Sequence, residues 1–542
     1  MLKYLLVLIA LVALPASAGV IPDRIATAVA DRIAAGELPS AVVAMIVDGK
    51  TEIRGFGALP DGKAPDADTL FEIGSITKSF TATLLAEAVV EGEVKIDEPL
   101  RDLLPGFTIP SREGREITLA DIAEQHSGLP RMPDNFRPAD AGDPFADYSP
   151  AKLKEFLAGY TLPRAPGASY EYSNLAVGLL GYALAEHRHT SYGELVAARI
   201  FKPLGMSSSA VALTPALRKR LATGFDGQGK TARPWEFDAL AGCGGIRSSA
   251  ADMLRYIEAY MGRTKTPLRA AMDLAIAPRR PLGDQKIGLI WMRLPLHDGG
   301  TLVWHNGMTG AYASFAGFTA DGRKGVVILT NQAQTLDDLG IGALDDAAPL
   351  TPAHKAVALT ETQLRRFAGT YKIFDKFFLT LTTGNGQLFA RATGQGQFPL
   401  FASSETEFFA KLTDISIRIN EGGLVLHQNG ADYPASRIAD RDAAAELGAI
   451  AIDPATLSTY VGSYELEGPR KLAIDITLDR DQLMARTLGQ EAYPLFAKTP
   501  EQFFYLVVDA RIEFQRDETG AVTGLILHQG GRTLTAKRIS AS

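Results

Sequence analysis

An internal repeat in the C-terminal part of the chain restricts the possible folds more than any other sequence feature. Matched blocks recur in the same order: Leu364, Phe367, Gly369 and Tyr371 with Leu457, Tyr460, Gly462 and Tyr464, then 387–391 with 482–486, 398–401 with 493–496, 408–409 with 503–504, and 426–428 with 527–529. Such an ordered series is hard to obtain by chance and predicts two copies of one unit. Short alternating strands broken by Gly-rich turns predict a small antiparallel β-barrel or sandwich for each copy, over residues 358–442 and 453–542.

Upstream of the repeats, strand-like segments lie at both ends of a long helical region. Residues 41–47 and 51–56 are apolar or alternating and flank Asp48-Gly49, a pair that favours an antiparallel hairpin. Further strands are predicted at 287–294, 301–305, 312–318 and 325–330. Strands at both ends with helices between them predict an α+β domain over residues 19–348, with one sheet built from both ends of the domain.

The first residues predict export of the chain. Lys3 precedes an apolar run over residues 4–14, which is followed by Pro15 and the small residues 16–18. This pattern is typical of a cleavable signal peptide over residues 1–18, and the run is shorter than the roughly 20 residues that a membrane-spanning helix needs. We therefore expect a periplasmic or secreted protein without stable membrane insertion.

Charge and cysteine content exclude several classes of function. The formal net charge is −7, which argues against nucleic acid as a partner. Cys243 is the only cysteine in 542 residues. An internal disulfide and a cysteine-rich metal site are therefore excluded.

Ser75 and Lys78 are three positions apart at the predicted start of a helix. This spacing places both side chains on one helix face, close enough for the amine to contact the hydroxyl. The helix N-terminus adds positive potential and free backbone N–H groups beside Ser75. A serine hydroxyl becomes a strong nucleophile only when a neighbouring base takes its proton, so Lys78 is a candidate partner. The alternative interpretation of Ser75 is a helix cap.

Tyr172 and Asn174 form a second candidate group, directly before the apolar helical run 175–184. A phenol beside a lysine loses its proton more readily, so Tyr172 is a candidate to accept the proton of Ser75. Asn174 offers one acceptor and two donors to an amide substrate and to the lysine. The alternatives are a packed loop aromatic for Tyr172 and a helix cap for Asn174.

His305, Gly307 and Met308 form a third candidate group at the end of a predicted strand. Glycine at this position lets a substrate backbone approach the strand edge. The N–H groups of Met308 and Ser75 are predicted to form an oxyanion hole. Alone, His305 would be interpreted as an ordinary strand-end residue.

The order Ser-x-x-Lys, Tyr-x-Asn, His-x-Gly resembles the β-lactamase and penicillin-binding superfamily, and is most similar to class C β-lactamases, D-aminopeptidases and related esterases. Residues 125–130 and 244–252 resemble two further family segments, and the resemblance covers about residues 21–348. It implies an antiparallel sheet flanked by helices, a helical region beside it, the site between them, and no metal or organic cofactor. His305 stands where class A and C β-lactamases usually carry lysine, and resembles the D-aminopeptidase and carboxypeptidase-like branch.

The resemblance implies a serine hydrolase that forms an acyl-enzyme with a small-molecule or short-peptide substrate. Short peptides or amides with D-residues rank first as substrates, carboxylic esters second and β-lactams third. A contrasting hypothesis is a non-catalytic binding protein that retains the scaffold. The layout of one catalytic domain and two barrels resembles D-aminopeptidase, which implies that the second barrel filters substrates at the site.

Overall fold

The computed structural model describes residues 19–411, 415–428, 431–467, 472–487, 491–529 and 532–539. The predicted signal peptide, residues 1–18, lies outside this part of the chain. None of the helices within it combines the length and the apolar character that crossing a bilayer requires.

A central antiparallel sheet is built from both ends of the first domain, as predicted. In the described residues its eight strands lie side by side in the order Lys50–Gly57, Ser40–Val47, Lys324–Thr330, Ala313–Thr319, Thr301–Met308, Met292–Pro295, Gln285–Ile287, Arg280–Leu282. The first hairpin pairs directly with the last strand, with Ala41 opposite Thr330. Together with the helices between the strands, this sheet confirms the α+β prediction.

One predicted strand is wrong, because residues 287–294 form parts of two strands. The N–H groups of Leu289 and Ile290 donate to the carbonyl groups of Ala275 and Ala123, at 2.8 and 2.7 Å, instead of to a neighbouring strand. Ile290 also has a φ of +68°, which extended backbone does not allow. The chain therefore leaves the sheet between Ile287 and Met292.

Helices cover the sheet and form the helical region beside it. The α-helices of this domain in the described residues are Asp23–Ala34, Thr77–Val90, Leu100–Leu103, Leu119–Ala123, Pro150–Gly159, Asn174–His187, Tyr192–Val196, Lys202–Leu204, Pro215–Arg218, Ala250–Tyr260, Arg269–Ile276 and Asp337–Leu344. Three more, Glu361–Arg365, Asp440–Glu446 and Pro454–Ser458, lie in the repeat region. Short strand pairs join Leu70–Glu72 to Arg247–Ser249, Ser111–Arg112 to Arg115–Glu116, and Gly224–Phe225 to Thr231–Ala232.

Two of these helices position the residues of the site. The helix Thr77–Val90 is buried along most of its length, so it lies inside the domain rather than on its surface. The helix Asn174–His187 packs against the short turn Ala241–Cys243. Its Gly181 approaches so closely that a Cβ atom there would lie 2.8 Å from the Cα atom of Gly242. This close packing places the backbone of Cys243 beside the first of the two helices.

Each copy of the repeat forms a closed antiparallel barrel of eight strands in the described part of the chain. Barrel 1 consists of Gly369–Phe374, Phe377–Gly384, Gln387–Ala392, Gln397–Ala402, Glu407–Phe409, Ile415–Asn420, Gly423–Gln428 and Ala431–Ile438. Barrel 2 consists of Gly462–Leu466, Ala473–Asp479, Gln482–Thr487, Tyr493–Ala497, Gln502–Phe504, Ala510–Arg516, Val522–Gln529 and Arg532–Ile539. The predicted pair of small barrels is confirmed.

The repeated aromatic residues have the same structural role in both barrels. The hydroxyl of Tyr371 donates to the carbonyl of Phe367 at 2.9 Å, and that of Tyr464 donates to the carbonyl of Tyr460 at 2.7 Å. Both tyrosines are buried on the first strand of their barrel. Each bond ties this strand to the turn that precedes it, which explains why the same spacing recurs.

The substitution Tyr464→Phe removes one of these bonds and leaves the Tyr460 carbonyl without its partner. We expect it to lower the free energy of unfolding of barrel 2 by about 1 kcal/mol, the usual net value of such a bond. Urea unfolding followed by far-UV circular dichroism should show an earlier transition. All three tryptophans, Trp235, Trp291 and Trp304, lie in the first domain, so their fluorescence transition should stay in place.

The matched control is Tyr505→Phe. Tyr505 lies in the same barrel region and packs against its core, and its hydroxyl makes no side-chain hydrogen bond to another described residue. If both variants unfold at the same urea concentration as the unmodified protein, the role assigned to the Tyr464 hydroxyl is contradicted.

Candidate active site

Ser75 lies in a short 3₁₀ turn, Gly74–Ile76, that leads into the helix Thr77–Val90. Its side chain is half-buried and lines a large cavity. Gly74 has a φ of +48°, and a Cβ atom there would lie 2.6 Å from the backbone nitrogen of Met308. Only glycine allows the turn to approach the end of the strand Thr301–Met308 in this way.

Lys78 is fully buried and donates hydrogen bonds to two neutral oxygen atoms. Its Nζ lies 2.8 Å from Ser75 Oγ and 2.7 Å from the carbonyl oxygen of Cys243. These bonds fix the amine against the serine hydroxyl, as the spacing of three residues predicts. Buried Cys243 contributes its carbonyl group, and burial raises the pKa of its thiol.

Tyr172 lines the same cavity as Ser75, and its ring centroid is 5.0 Å from Lys78 Nζ. The segment that carries it is held by Gln125, whose backbone carbonyl accepts the N–H of Glu171 at 2.8 Å. The Gln125 side chain accepts the N–H of Ser173 at 2.7 Å. Residues 125–130, which resemble a family segment in the sequence, therefore support the loop of Tyr172.

Asn174 is placed differently from the expectation. Its amide donates to Met132 Sδ at 3.7 Å, whereas the acceptors of Lys78 are Ser75 and Cys243. Asn174 is the first residue of its helix, and it is absent from the described residues that line the two cavities at the site. Its contact with a substrate stays a prediction.

The strand Thr301–Met308 brings Gly307 and Met308 against the serine turn. A Cβ atom on Gly307 would lie 2.9 Å from the backbone nitrogen of Ser75 and would overlap the Ile73 carbonyl oxygen. Ser314, on the neighbouring strand, donates its hydroxyl to the same carbonyl at 2.8 Å. The backbone of Ser75 is therefore packed against the backbone end of this strand, and the oxyanion hole itself stays a prediction.

His305 is buried beside the main cavity. It lines a second cavity of about 180 Å³ together with Gln125, Tyr170 and Tyr172. Burial, with a smaller contribution from the charge of Lys78, lowers the pKa of its imidazole to about 4. His305 is therefore uncharged at neutral pH, unlike the lysine that β-lactamases usually carry there.

The main cavity has a volume of about 1050 Å³ and extends from Ser75 to barrel 1. Its near end is lined by Ser75, Tyr172 and Met308, and its far end includes Glu407 and His427 of barrel 1. No residue of barrel 2 lines it in the described part of the chain. The expectation that the second barrel reaches the site is corrected, because the first barrel occupies that position.

A buried ion pair that sequence reasoning missed lies behind the serine turn. Glu72 precedes Ser75 by three residues, and its Oε1 accepts the N–H of Trp235 at 2.8 Å. Arg247 Nε lies 3.4 Å from the same oxygen, and both side chains are almost fully buried. Burial raises the pKa of Glu72 to about 7, although the charge of Arg247 opposes the shift. The signal that could have revealed this pair is the acidic residue at the end of the apolar segment 70–72.

Asn306 is held by a second buried carboxyl group that the sequence did not reveal. Its Nδ2 donates to the two carboxylate oxygens of Asp337, at 2.9 and 2.8 Å. Burial raises the pKa of Asp337 to about 6. Because Asn306 lies between His305 and Gly307, this contact fixes the end of the strand beside the serine. Among the described residues, no group of three His, Cys, Asp or Glu side chains is arranged to hold a metal ion.

The substitution Glu72→Gln tests the buried ion pair. A carboxyl group whose pKa is raised on folding stabilises the folded state below pH 4.5, and this contribution is lost as the pH rises to 7 and above. Glutamine does not titrate, so the stability of the variant relative to the unmodified protein should improve from pH 5 to 8 by on the order of 2–3 kcal/mol. Urea unfolding at several pH values measures this difference.

Glu236→Gln is the control, because Glu236 lies 3.3 Å from the same arginine but has an exposed side chain. Its stability should follow the pH dependence of the unmodified protein. A constant difference between Glu72→Gln and the unmodified protein across this pH range would show that Glu72 does not titrate there.

Comparisons with known proteins place this geometry in a family. The beta-lactamase family model matches residues 25–348, and a model described as a domain of unknown function, DUF3471, matches residues 448–538. A D-alanyl-D-alanine-carboxypeptidase/endopeptidase, AmpH, from Escherichia coli is 31% identical over 239 residues, which are 43% of this chain and 60% of the relative. Penicillin-binding protein 4* from Bacillus subtilis is 24% identical over 427 residues, 71% of this chain and 91% of that protein.

A solved structure shares the fold of the first domain. The D-alanine carboxypeptidase AmpC from Burkholderia cenocepacia has a TM-score of 0.51 and 25% identity, and the match covers 59% of this chain and 96% of that structure. The family model covers more than half of the chain and contains Ser75, Lys78, Tyr172 and the strand that ends at Met308. The chain therefore belongs to the beta-lactamase family.

Proposed function

We propose that the chain is a serine hydrolase that acts through an acyl-enzyme on Ser75. The contact of 2.8 Å between Lys78 Nζ and Ser75 Oγ, at the edge of a cavity, is the observation that carries this proposal. The relatives support it, because their names describe carboxypeptidases and beta-lactamases. This contact also disfavours a purely binding protein, because binding alone does not require a buried amine in contact with a serine hydroxyl.

In the first half of the reaction, Ser75 Oγ attacks the carbonyl carbon of the substrate. The hydroxyl proton passes to Tyr172 as phenolate or to Lys78 as free amine. The N–H groups of Ser75 and Met308 stabilise the oxyanion that develops on the carbonyl oxygen. When the bond to the leaving nitrogen or oxygen breaks, the same acid returns the proton to that atom.

In the second half, water attacks the ester that links the acyl group to Ser75. The group that took the serine proton now takes a proton from water, and the tetrahedral intermediate again places its oxyanion at the two N–H groups. The ester bond breaks, Ser75 regains its proton, and a carboxylic acid leaves. All bonds and protons in these steps belong to the substrate, water, Ser75 and the group that accepts its proton.

Short peptides or amides that contain D-residues are the proposed substrates. The relative AmpH is named for cleavage of D-alanyl-D-alanine peptides, which supports this class. Carboxylic esters rank second, and the names of other relatives keep β-lactams as a third candidate. Because His305 is uncharged at neutral pH, the strand lacks the positive charge of the lysine that β-lactamases usually carry there, and β-lactams rank lower. The proposed location is the periplasm or the exterior of the cell, with small molecules or short peptides as the partners.

The substitution Ser75→Ala is expected to lower kcat/KM at least about 1000-fold for every substrate that the protein cleaves, because the nucleophile is removed. The substrates are acetyl-D-Ala-D-Ala, D-alanyl p-nitroanilide, a chromogenic cephalosporin and p-nitrophenyl acetate. The control is Ser207→Ala, which changes an exposed serine outside the cavity.

The substitution Gly307→Ala tests the predicted oxyanion hole. Its methyl group would press on the backbone nitrogen of Ser75 and displace that N–H group. We expect kcat to fall by about 100- to 1000-fold, the usual effect of losing one oxyanion donor, with little change in KM. Steady-state kinetics measure this, and circular dichroism confirms that the variant folds. A folded variant with unchanged kcat would contradict the proposed hole.

A further inference from the structure

Two basic side chains near Ser75, Lys78 and His305, are poorly suited to bind an anionic part of the substrate. Lys78 is buried and already bonded to Ser75 and Cys243. His305 is uncharged at neutral pH, and its Nδ1 contacts the Asn306 carbonyl at 2.6 Å. Neither group presents a free positive charge to the cavity. A cationic side chain that binds a substrate anion here therefore has to be a different residue.

Arg131 is an exposed cation on the wall of the main cavity, beside Ser75 and Tyr172. Its guanidinium carbon lies 5.1 Å from the centroid of the Tyr172 ring, a contact that holds the side chain near the serine. In the described part of the chain, no carboxylate forms an ion pair with it. The N–H donors of the guanidinium are therefore available to a ligand.

The backbone of Arg131 is fixed to the segment that carries Tyr172. Its carbonyl accepts the N–H groups of Asn174 and Leu175, at 3.0 and 3.3 Å. The hydroxyl of Ser173 donates to the carbonyl of the preceding residue, Pro130, at 2.6 Å. These bonds fix the backbone from which the arginine side chain reaches the Tyr172 ring.

Other cations of the cavity wall are less suited to this role. Arg32 forms an ion pair with Asp338, and Arg418 forms one with Glu407 at 3.0 Å. Lys411 is half-buried and belongs to barrel 1 rather than to the segment of Tyr172, and its Nζ lies 4.5 Å from the centroid of the Phe401 ring. Arg131 is therefore the cation that combines a free charge with proximity to the nucleophile.

We propose that Arg131 binds a carboxylate of the substrate next to the scissile bond and so selects acidic substrates. This inference rests on the proposed hydrolase function and names the substrate class. A guanidinium matches a carboxylate because its planar N–H groups form two parallel hydrogen bonds with the two oxygens. Arg131 thereby supplies, from the Tyr172 side of the cavity, the positive charge that the strand lacks at His305.

The test compares esters that differ by one charge. One pair places the carboxylate in the acyl group, as monophenyl glutarate and methyl phenyl glutarate. The other places it in the leaving group, as the phenylacetyl esters of 3-hydroxybenzoate and of methyl 3-hydroxybenzoate. The measured quantity is the ratio of kcat/KM for the acid and its neutral partner, in the unmodified protein and in Arg131→Met, Arg131→Glu, Lys411→Met and the surface control Arg263→Met.

We expect the unmodified protein to prefer the acid about 10- to 100-fold in at least one pair, the worth of a charge-assisted hydrogen-bonded pair. Arg131→Met should abolish this preference while the neutral ester changes by about threefold or less, and Arg131→Glu should reverse it. Arg263→Met should keep the original ratio. A purely structural role of Arg131 would lower the rates for both esters equally.

The inference is overturned if the unmodified protein shows no preference for either acid, or if Lys411→Met abolishes the preference and Arg131→Met does not. Hydrolysis of the neutral esters tests the proposed hydrolase function independently, because this reaction requires Ser75 and does not require Arg131. If no ester is cleaved, calorimetry with the Ser75→Ala protein compares binding of the same pairs. Equal binding of acid and neutral ester there also overturns the inference.

Discussion

The site depends on a buried lysine that is held by neutral acceptors. An ammonium or amine inside a protein is expensive unless its hydrogen bonds are satisfied, and Lys78 obtains them from Ser75 and from the Cys243 carbonyl. Because no negative charge takes part in these two bonds, the amine is directed at the hydroxyl rather than neutralised by a carboxylate. The helix Thr77–Val90 and the turn Ala241–Cys243 must both be in place for this contact, which ties the chemistry to the packing of the domain.

Close backbone packing determines how the end of the strand Thr301–Met308 approaches Ser75. Gly74 and Gly307 let the serine turn and the end of the strand approach at a distance that a Cβ atom would prevent. Two buried pairs stabilise the segments that make this contact. Glu72 pairs with Arg247 next to the serine turn, and Asp337 binds Asn306 at the end of the strand. The proposed catalytic groups therefore lie on closely packed elements of the first domain, and barrel 1 provides another part of the cavity wall.

Much of this arrangement could be predicted from the sequence, because it depends on short-range spacing. The separation of Ser75 and Lys78, the hairpin at Asp48-Gly49 and the duplicated barrels all follow from local periodicity and repetition. Features that depend on contacts between distant segments could not be predicted. The break near Ile290 is an example, since its N–H group donates to the carbonyl of Ala123.

The cavity illustrates the same limit. The sequence shows two similar barrels and contains nothing that says which of them faces Ser75, so the analogy with D-aminopeptidase led to the wrong barrel. Arg131 belongs to no recognised sequence motif. Its proposed role in substrate binding follows only from the structure, in which His305 is uncharged and other cations of the cavity wall are paired. The central claim is tested most directly by acid-quenching a reaction with phenyl acetate and locating the acetyl group by peptide mass spectrometry. The account predicts acetylation on the peptide that contains Ser75, whereas an acetyl group on a different peptide, or undiminished turnover by the Ser75→Ala protein, would contradict it.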